Sequence, residues 1–285
     1  MADLIAVLPR RDLVLKAAVH AAALVVALAF AALLWDVIGQ GLSRLSWSFL
    51  TTEPRSSGRL GGIAPIIIST VLLLLVAITV ATPLAIGTAV LLVDFVRTGS
   101  LGARIVSMSL DILAGVPSIV FGLFGNAFFA IYLGLGFSIL SGGLTLACMA
   151  LPIMIRSTEI GLRAVPDDWR RGTAALGMTK TSALRHILLP AAAPAIIAGL
   201  MLGIGRAAAE TAALVFTSGY VDRMPGSLFD SGRSIAVHIY DLTMNVAGGE
   251  KSAYAAALVL VGLLVIINAI ALALSHHVLR KRITQ

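Results

Sequence analysis

Long apolar stretches alternate with polar connections along the whole chain. About 20 apolar residues in a helix cross the hydrocarbon core of a bilayer. Six stretches reach that length: Ala17–Ile38, Ala64–Val93, Ile105–Phe124, Gly136–Ile155, Ala191–Thr217 and Ala253–Leu274. The pattern predicts an all-α integral membrane protein with six transmembrane helices. Residues 1–16 then form an amino-terminal segment, and residues 39–63 form the first long connection.

Composition supports the membrane assignment. Of the 285 residues, 59% are hydrophobic and 12% are charged, whereas soluble domains carry about 25% charged residues. Excess Lys and Arg in cytoplasmic connections explains a net charge of +7. No cluster alternates basic with aromatic residues as a single-stranded nucleic-acid groove does. The single Cys148 allows no internal disulfide, and the five histidines lack the spacing of metal ligands.

The distribution of Lys and Arg predicts the orientation. With both termini inside, fourteen of the 21 lie on the cytoplasmic side and six outside, with Arg206 inside a helix. This bias is the one that cytoplasmic connections carry. Arg10, Arg11 and Lys16 are typical of the start of a signal peptide. The apolar stretch that follows exceeds the about 7–15 residues of the apolar core of a signal peptide, so we expect a retained anchor.

One cytoplasmic connection, Arg156–Pro190, carries six of these inner Lys and Arg; we call it the polar island. Pro166, Asp167 and Asp168 are typical of a helix start. Proline fits the first turn of a helix, and acidic side chains are favoured at the positive end of the helix dipole. The sequence therefore predicts a helix that begins near Asp167.

The rest of the polar island predicts a second helix. Gly177 is typical of the left-handed residue that ends a helix, and an amphipathic stretch, Ser182–Leu189, then leads to Pro190. We expect two short helices joined by a glycine turn against the inner membrane face, rigid enough to transmit a push from a soluble partner. The alternative is an ordinary basic loop that lies on anionic lipid.

Gly177, Ile187, Leu189 and Pro190 stand at fixed distances from one another. Their spacing resembles the cytoplasmic coupling motif of binding-protein-dependent ABC importer permeases, in which Gly is followed after nine residues by Ile-x-Leu-Pro. The motif begins with Glu-Ala-Ala, where this chain has Arg171-Gly172-Thr173. The resemblance implies that this difference bears on one polar contact to the ATPase and not on the helix–turn–helix.

This resemblance implies a type I ABC importer permease fold with cytoplasmic coupling helices, over residues 64–285. It also implies that a separate ATPase docks on the polar island. The implied coupling residues are Asp167, Asp168, Trp169, Arg171, Gly177, Ile187, Leu189 and Pro190.

The stretch Gly177–Thr181 contains Lys-Thr after a glycine, but the full phosphate-loop pattern G-x-x-x-x-G-K-[ST] is absent. We therefore expect a non-catalytic subunit with no cofactor of its own, with ATP and Mg²⁺ bound by the partner ATPase.

Three further segments carry a narrower resemblance. Leu113–Gly125 resembles the third span of the phosphate-specific (Pst) permeases, and Gly61–Thr70 resembles the start of their second span. Gly205–Ala212 is similar to their fifth-span block Arg-Ala-x-Gly-Glu-Thr-Ala-Pro, with Ala209 in place of the glycine and Ala213 in place of the proline. On these segments the chain is identified as a member of the A-subunit (PstA) family.

The resemblance implies import of inorganic phosphate across the plasma membrane of a bacterium or archaeon. It also implies a PstC-like second permease, a PstB-like ATPase dimer and a PstS-like phosphate-binding protein as partners.

Arg206 and Glu210 are the charges in the fifth apolar stretch. A charge near the bilayer centre costs at least ~2.5–3.5 kcal/mol on insertion scales, so it faces protein or water. Gly199 and Gly203 allow a close helix approach, and the two charges are expected near that face. Either the pair at i, i+4 neutralises itself and fixes helix packing, or Arg206 binds an oxyanion that Glu210 tunes. The resemblance favours the pathway.

Two more residues are pathway candidates. Arg156, at the inner end of the fourth span, either extends to the cytoplasm, pairs with Glu159, or lines the pathway as the resemblance implies. Ser118 follows Pro117, which is expected to kink its helix, and offers a hydroxyl to the substrate. Asp111 is expected to cap or pair locally.

Three other functions remain open from the residues. The same fold can import phosphonate or another oxyanion. An ion-coupled secondary transporter or channel needs no ATPase and loses its transport on uncoupling. A membrane subunit with a structural role only would leave Arg206 facing no cavity.

Overall fold

The computed structural model describes residues 10–97 and 99–283, with side-chain environments for residues 12, 14–97 and 99–273. The segment before residue 10 lies outside these described ranges. The charge count also included three residues whose side chains lie outside them: Arg280, Lys281 and Arg282. The helices are α1 Arg10–Gly41, α2 Trp47–Thr51, α3 Ala64–Val90, α4 Leu101–Gly115, α5 Ser118–Gly125, α6 Ile139–Arg163, α7 Asp167–Ala175, α8 Lys180–Ala183, α9 Leu189–Ala208, α10 Ala212–Val215, α11 Ile235–Met244 and α12 Glu250–Ile283.

Three of these helices continue into wider π-helical turns: Leu91–Phe95 after α3, Asn126–Tyr132 after α5 and Leu184–Leu188 after α8. We call Leu91–Phe95 the inner π-turn. The π-turn at Leu184–Leu188 joins α8 to α9, so that residues Lys180–Ala208 form one continuous helical segment.

Five helical segments among the described residues are long and apolar enough to span a bilayer, and a bent pair makes a sixth if it is counted as one span. The bent pair differs from the predicted single helix Ile105–Phe124. Helix α4 ends at Gly115, and the segment that begins at Ser118 leaves at 104° to it. Val116 is extended, with φ −69° and ψ 130°, because the ring of Pro117 disfavours helical backbone in the residue before it.

The fifth predicted span also differs. It was expected to run to Thr217, but α9 ends at Ala208 and a separate short helix, α10, begins at Ala212. The side chain of Glu210 accepts a hydrogen bond from the Ala213 N–H at 3.1 Å. A carboxylate that binds a free N–H at the start of a helix favours a new helix there, so Glu210 stabilises the break.

The centre of the fold is a three-helix contact of α3, α6 and α9, built on small residues. Ala81, Ala85 and Ala89 are completely or almost completely buried on one face of α3. A Cβ on Gly143 of α6 would lie 2.5 Å from Val76, and one on Gly199 of α9 would lie 2.6 Å from Ser157 Cβ. Small residues let helix backbones approach closely in membranes, where packing drives association.

The predicted external connections are partly ordered. Pro54–Arg55 and Leu60–Gly61 form a short antiparallel hairpin, and the last long connection contains α11. His238 of α11 lies buried beneath the hairpin turn, where a Cβ on Gly58 would come within 2.5 Å of its ring. Burial and the nearby Arg233 guanidinium lower the pKa of His238 to about 4. Arg233 also binds Asp241 at 2.9 Å.

Candidate functional site

The polar island has the predicted helix–turn–helix. Helix α7 begins at Asp167 directly after Pro166, with Asp167 and Asp168 in its first turn. It ends in a left-handed Gly177, whose φ is +69°. The Gly177 N–H binds the Ala174 carbonyl and the Met178 N–H binds the Thr173 carbonyl, both at 3.0 Å. These two bonds form a Schellman motif, in which a glycine in the left-handed region closes the helix.

The second half of the polar island is longer than predicted. The amphipathic stretch was predicted over Ser182–Leu189, whereas α8 begins at Lys180 and continues through its π-turn into α9. Pro190 lies in the first turn of α9, where a missing N–H costs little. Ile187 and Leu189 pack against the buried core of α3 and α6. A continuous rod therefore connects the glycine turn to the helix that carries Arg206.

One face of α7 is free. Asp167, Asp168 and Arg171 are exposed, and Arg171 lies 3.9 Å from Asp168 in a pair that is 79% and 90% exposed. Trp169 is 50% exposed and Leu176 is 79% exposed. Exposed aromatic and aliphatic side chains framed by charges are typical of a protein contact surface.

The opposite side of α7 is held by a residue that sequence reasoning missed. Asp94, in the inner π-turn, forms an ion pair with Arg170. The two residues are 76 positions apart in the sequence, so no periodicity indicates the contact. A lone acidic residue directly after an apolar run was the available signal.

Arg156 lies in a polar bridge between α6 and α4. Its guanidinium donates to Glu159 at 2.9 Å, to Asp111 at 2.7 Å and to the Ser107 hydroxyl at 2.7 Å. The expected contact with Glu159 is present, whereas Asp111 pairs across helices rather than locally. The Asp111 side chain is 70% exposed, so the bridge is open on one side.

Arg206 and Glu210 do not lie where the i, i+4 spacing placed them. The helix ends between them, and among the described side chains no ion pair joins the two. Glu210 binds the α10 backbone. Arg206 is exposed, whereas Gly203 and Ala207 are buried against α6. The prediction that Arg206 shares the close-packed glycine face is therefore wrong, because Arg206 points to the uncovered side of α9.

Ser118 is the first residue of α5, directly after the 104° bend. Its side chain is half-buried, and within the described ranges its hydroxyl has no hydrogen-bond partner. The half-buried Ser118 hydroxyl of α5 and the exposed Arg206 guanidinium of α9 are thus available to a ligand or a neighbouring subunit.

The described residues thus form a bundle of membrane-spanning helices with a glycine-closed helix–turn–helix that leads into one of the spans. Residues 81–284 match the family described as the binding-protein-dependent transport system inner membrane component. The match covers most of the chain, and the chain belongs to this family. It is therefore a component of a multi-pass membrane transport system of the ABC importer class.

Two curated relatives illustrate the similarity. The chain is 31% identical over 219 residues to the probable ABC transporter permease protein YqgI of Bacillus subtilis (strain 168), covering 72% of this chain and 74% of that protein. It is 33% identical over 258 residues to the phosphate transport system permease protein PstA 1 of Mycobacterium tuberculosis (strain CDC 1551 / Oshkosh), covering 88% and 84% respectively.

A solved structure shares the fold. It is a chain of a bacterial ABC transporter involved in the import of the acidic polysaccharide alginate, with a TM-score of 0.61 and 13% sequence identity. The superposition covers 92% of this chain and 98% of that chain. The predicted type I ABC importer permease fold is confirmed.

Proposed function

We propose that this chain is the A-type permease subunit of an ABC importer that moves inorganic phosphate into the cytoplasm. The relatives named as phosphate transport permeases support this cargo. The observation that carries the proposal is the rod Lys180–Ala208. It joins a free docking face on α7 to a helix whose exposed Arg206 lies among apolar residues.

The proposed partners follow from this architecture. A PstB-like ATPase dimer binds ATP and Mg²⁺ and docks on α7 through Trp169 and its charged neighbours. A PstC-like permease covers the exposed sides of α5 and α9, and a PstS-like protein delivers phosphate at the outer side. Both termini of the chain lie in the cytoplasm. This chain binds no cofactor and catalyses no reaction; it contributes the pathway and the gate.

In the proposed pathway Arg206 is the principal anion ligand, because its guanidinium has no carboxylate partner within the described structure. A guanidinium offers paired N–H donors that match the oxygen spacing of a phosphate. Ser118 donates a hydroxyl. Arg156 is a second ligand. Phosphate binds to it by displacing the exposed Asp111 carboxylate, so phosphate binding at Arg156 opens the bridge between α4 and α6. Another oxyanion, such as a phosphonate, fits the same donors.

Phosphate uptake by the reconstituted four-component complex tests this role. We expect Arg206→Gln to abolish uptake while the complex still assembles, since glutamine keeps polarity but loses the charge and the donor pair. Arg55→Gln is the matched control, because Arg55 is an exposed arginine in the hairpin outside the spans. Normal uptake by Arg206→Gln would show that Arg206 has no part in the pathway.

A further inference from the structure

The inner π-turn contacts both helices of the polar island. Asp94 pairs with Arg170 of α7. The neighbouring Phe95 presents its ring 6.0 Å from the Nζ of Lys180, the first residue of α8, which is the outer limit of a cation–π contact. The end of α3 therefore meets the helix–turn–helix on both sides of Gly177.

Arg170 connects three helices at once. One terminal nitrogen binds Asp94 of the inner π-turn, and the other donates to the Leu162 carbonyl near the end of α6 at 2.9 Å. The planar guanidinium makes this possible, because its donors point in fixed, divergent directions. A lysine ammonium at the same place is a point charge on a flexible stem and does not reproduce the pair of contacts.

The Asp94–Arg170 pair is largely shielded from solvent, and Arg170 is the partner of the Asp94 carboxylate. The Asp94 side chain is 14% exposed and that of Arg170 is 26% exposed. The second Asp94 oxygen, Oδ2, is buried without a hydrogen-bond partner in the described part of the chain. Removing one partner of a shielded pair leaves an uncompensated charge, which costs far more than breaking a surface pair. Separation of α7 from the inner π-turn is therefore strongly opposed.

A cavity of about 200 Å³ lies between the inner π-turn and α7–α8, with Asp94, Phe95, Arg170, Met178 and Leu184 in its wall. Where a cavity replaces packed side chains, dispersion contacts are lost. Among the described side chains, the ion pair and the Phe95–Lys180 contact are the charged links across this cavity. They add to the apolar cluster that holds Leu92 and Leu188.

We infer that Asp94 and Arg170 are positioning residues that make α3 follow the coupling helix. The inference rests on the proposed function, in which α7 receives the movement of the ATPase. That movement then reaches the spans by two routes: along the rod Lys180–Ala208 into α9, and through the Asp94–Arg170 pair into α3. Because α3 and α9 both pack on α6, the two routes move the central bundle as a unit.

The test is the number of phosphate ions imported per ATP hydrolysed by the complete complex in liposomes. We expect Asp94→Asn to reduce this ratio by roughly 5- to 150-fold, the range of typical coupling free energies, with the ATPase still bound. Arg170→Lys keeps the charge but loses the double contact, so we expect a partial reduction. The double variant Asp94→Asn/Arg170→Gln places two neutral amides together. Its ratio of phosphate imported to ATP hydrolysed should therefore lie between that of Asp94→Asn and that of the native complex.

Arg104→Gln is the matched control. Arg104 is also a cytoplasmic-side arginine, but it is exposed in α4 and no ion pair joins it to another described side chain, so its loss should leave the ratio unchanged. An unchanged ratio in Asp94→Asn, or a reduction that Arg104→Gln reproduces, would overturn the inference. Loss of the ATPase from the Asp94→Asn complex would also overturn it, since the pair would then serve assembly.

Failure of the proposed function and failure of the Asp94–Arg170 role give different results. If the native complex imports no phosphate, the proposed function is wrong. If the native complex imports phosphate and Asp94→Asn remains fully coupled, only the role of the pair is wrong.

Discussion

Gly177 offers a clean test of the coupling element, because its role is conformational. Its φ is +69°, and a Cβ added to it meets nothing within 4 Å. Gly177→Ala therefore introduces no clash with neighbouring groups. It does place an L-residue in the left-handed region, at a cost of about 1–2 kcal/mol. The penalty falls on the turn that holds α7 and α8 in their mutual orientation.

That penalty sets the size of the expected effect. If the ATPase binds only the closed turn, about 1–2 kcal/mol corresponds to a roughly 5- to 30-fold weaker association. Asparagine adopts the left-handed conformation more readily than alanine, so Gly177→Asn should lie between alanine and the native residue. Titration of the purified ATPase against the permease pair in detergent measures the dissociation constant.

Gly172 provides the control in the same helix. A Cβ there also meets nothing within 4 Å, but Gly172 lies inside α7, where alanine is favoured over glycine by about 0.5–1 kcal/mol. Gly172→Ala should therefore keep or strengthen association. Equal affinities for Gly177→Ala and Gly172→Ala would refute the reasoning, because the left-handed turn would then have no part in docking.

Two further predictions concern stability. Gly199→Val should destabilise the chain by about 1–3 kcal/mol, the usual cost of overpacking, because its Cβ would lie 2.6 Å from Ser157 Cβ. Thermal unfolding in detergent measures this loss. Gly205→Ala is the control, because Gly205 has open space around it. Acidification should also destabilise the native chain. The pKa of His238 falls from 6.5 to about 4 on folding, so the unfolded chain binds more protons between these values. The free energy of unfolding should fall by up to about 3 kcal/mol from pH 7 to pH 4. The fall should be smaller in His238→Gln. Equal falls in the two proteins would contradict the lowered pKa of His238.

The sequence predicted those features that depend on local backbone chemistry. Gly177 and Asp167 mark a turn and a helix start by properties that need no tertiary contact, and both lie where expected. Five of the six predicted spans also follow from the length of apolar runs, although the fifth ends earlier than predicted. Pro117 indicated a kink. A proline predicts that a helix is interrupted, but the angle of 104° between the two parts depends on packing.

Hydrophobic periodicity does not predict contacts between residues that are far apart in the sequence. The i, i+4 spacing of Arg206 and Glu210 brings them together only in an uninterrupted helix. That prediction failed because α9 ends at Ala208 and the Glu210 carboxylate binds a backbone N–H at the start of α10. Side chains that compete for the backbone in this way have no signal in a hydropathy pattern. The Asp94–Arg170 and Asp111–Arg156 pairs likewise depend on which helices meet.

The central claim is that this chain imports phosphate only under the action of an ATPase docked on the polar island. The most direct measurement is phosphate uptake into proteoliposomes that contain the complete complex, with and without ATP at the island side and with and without a protonophore. We predict uptake that requires ATP and the binding protein and that survives the protonophore. Uptake that proceeds without ATP and collapses with the protonophore would contradict it.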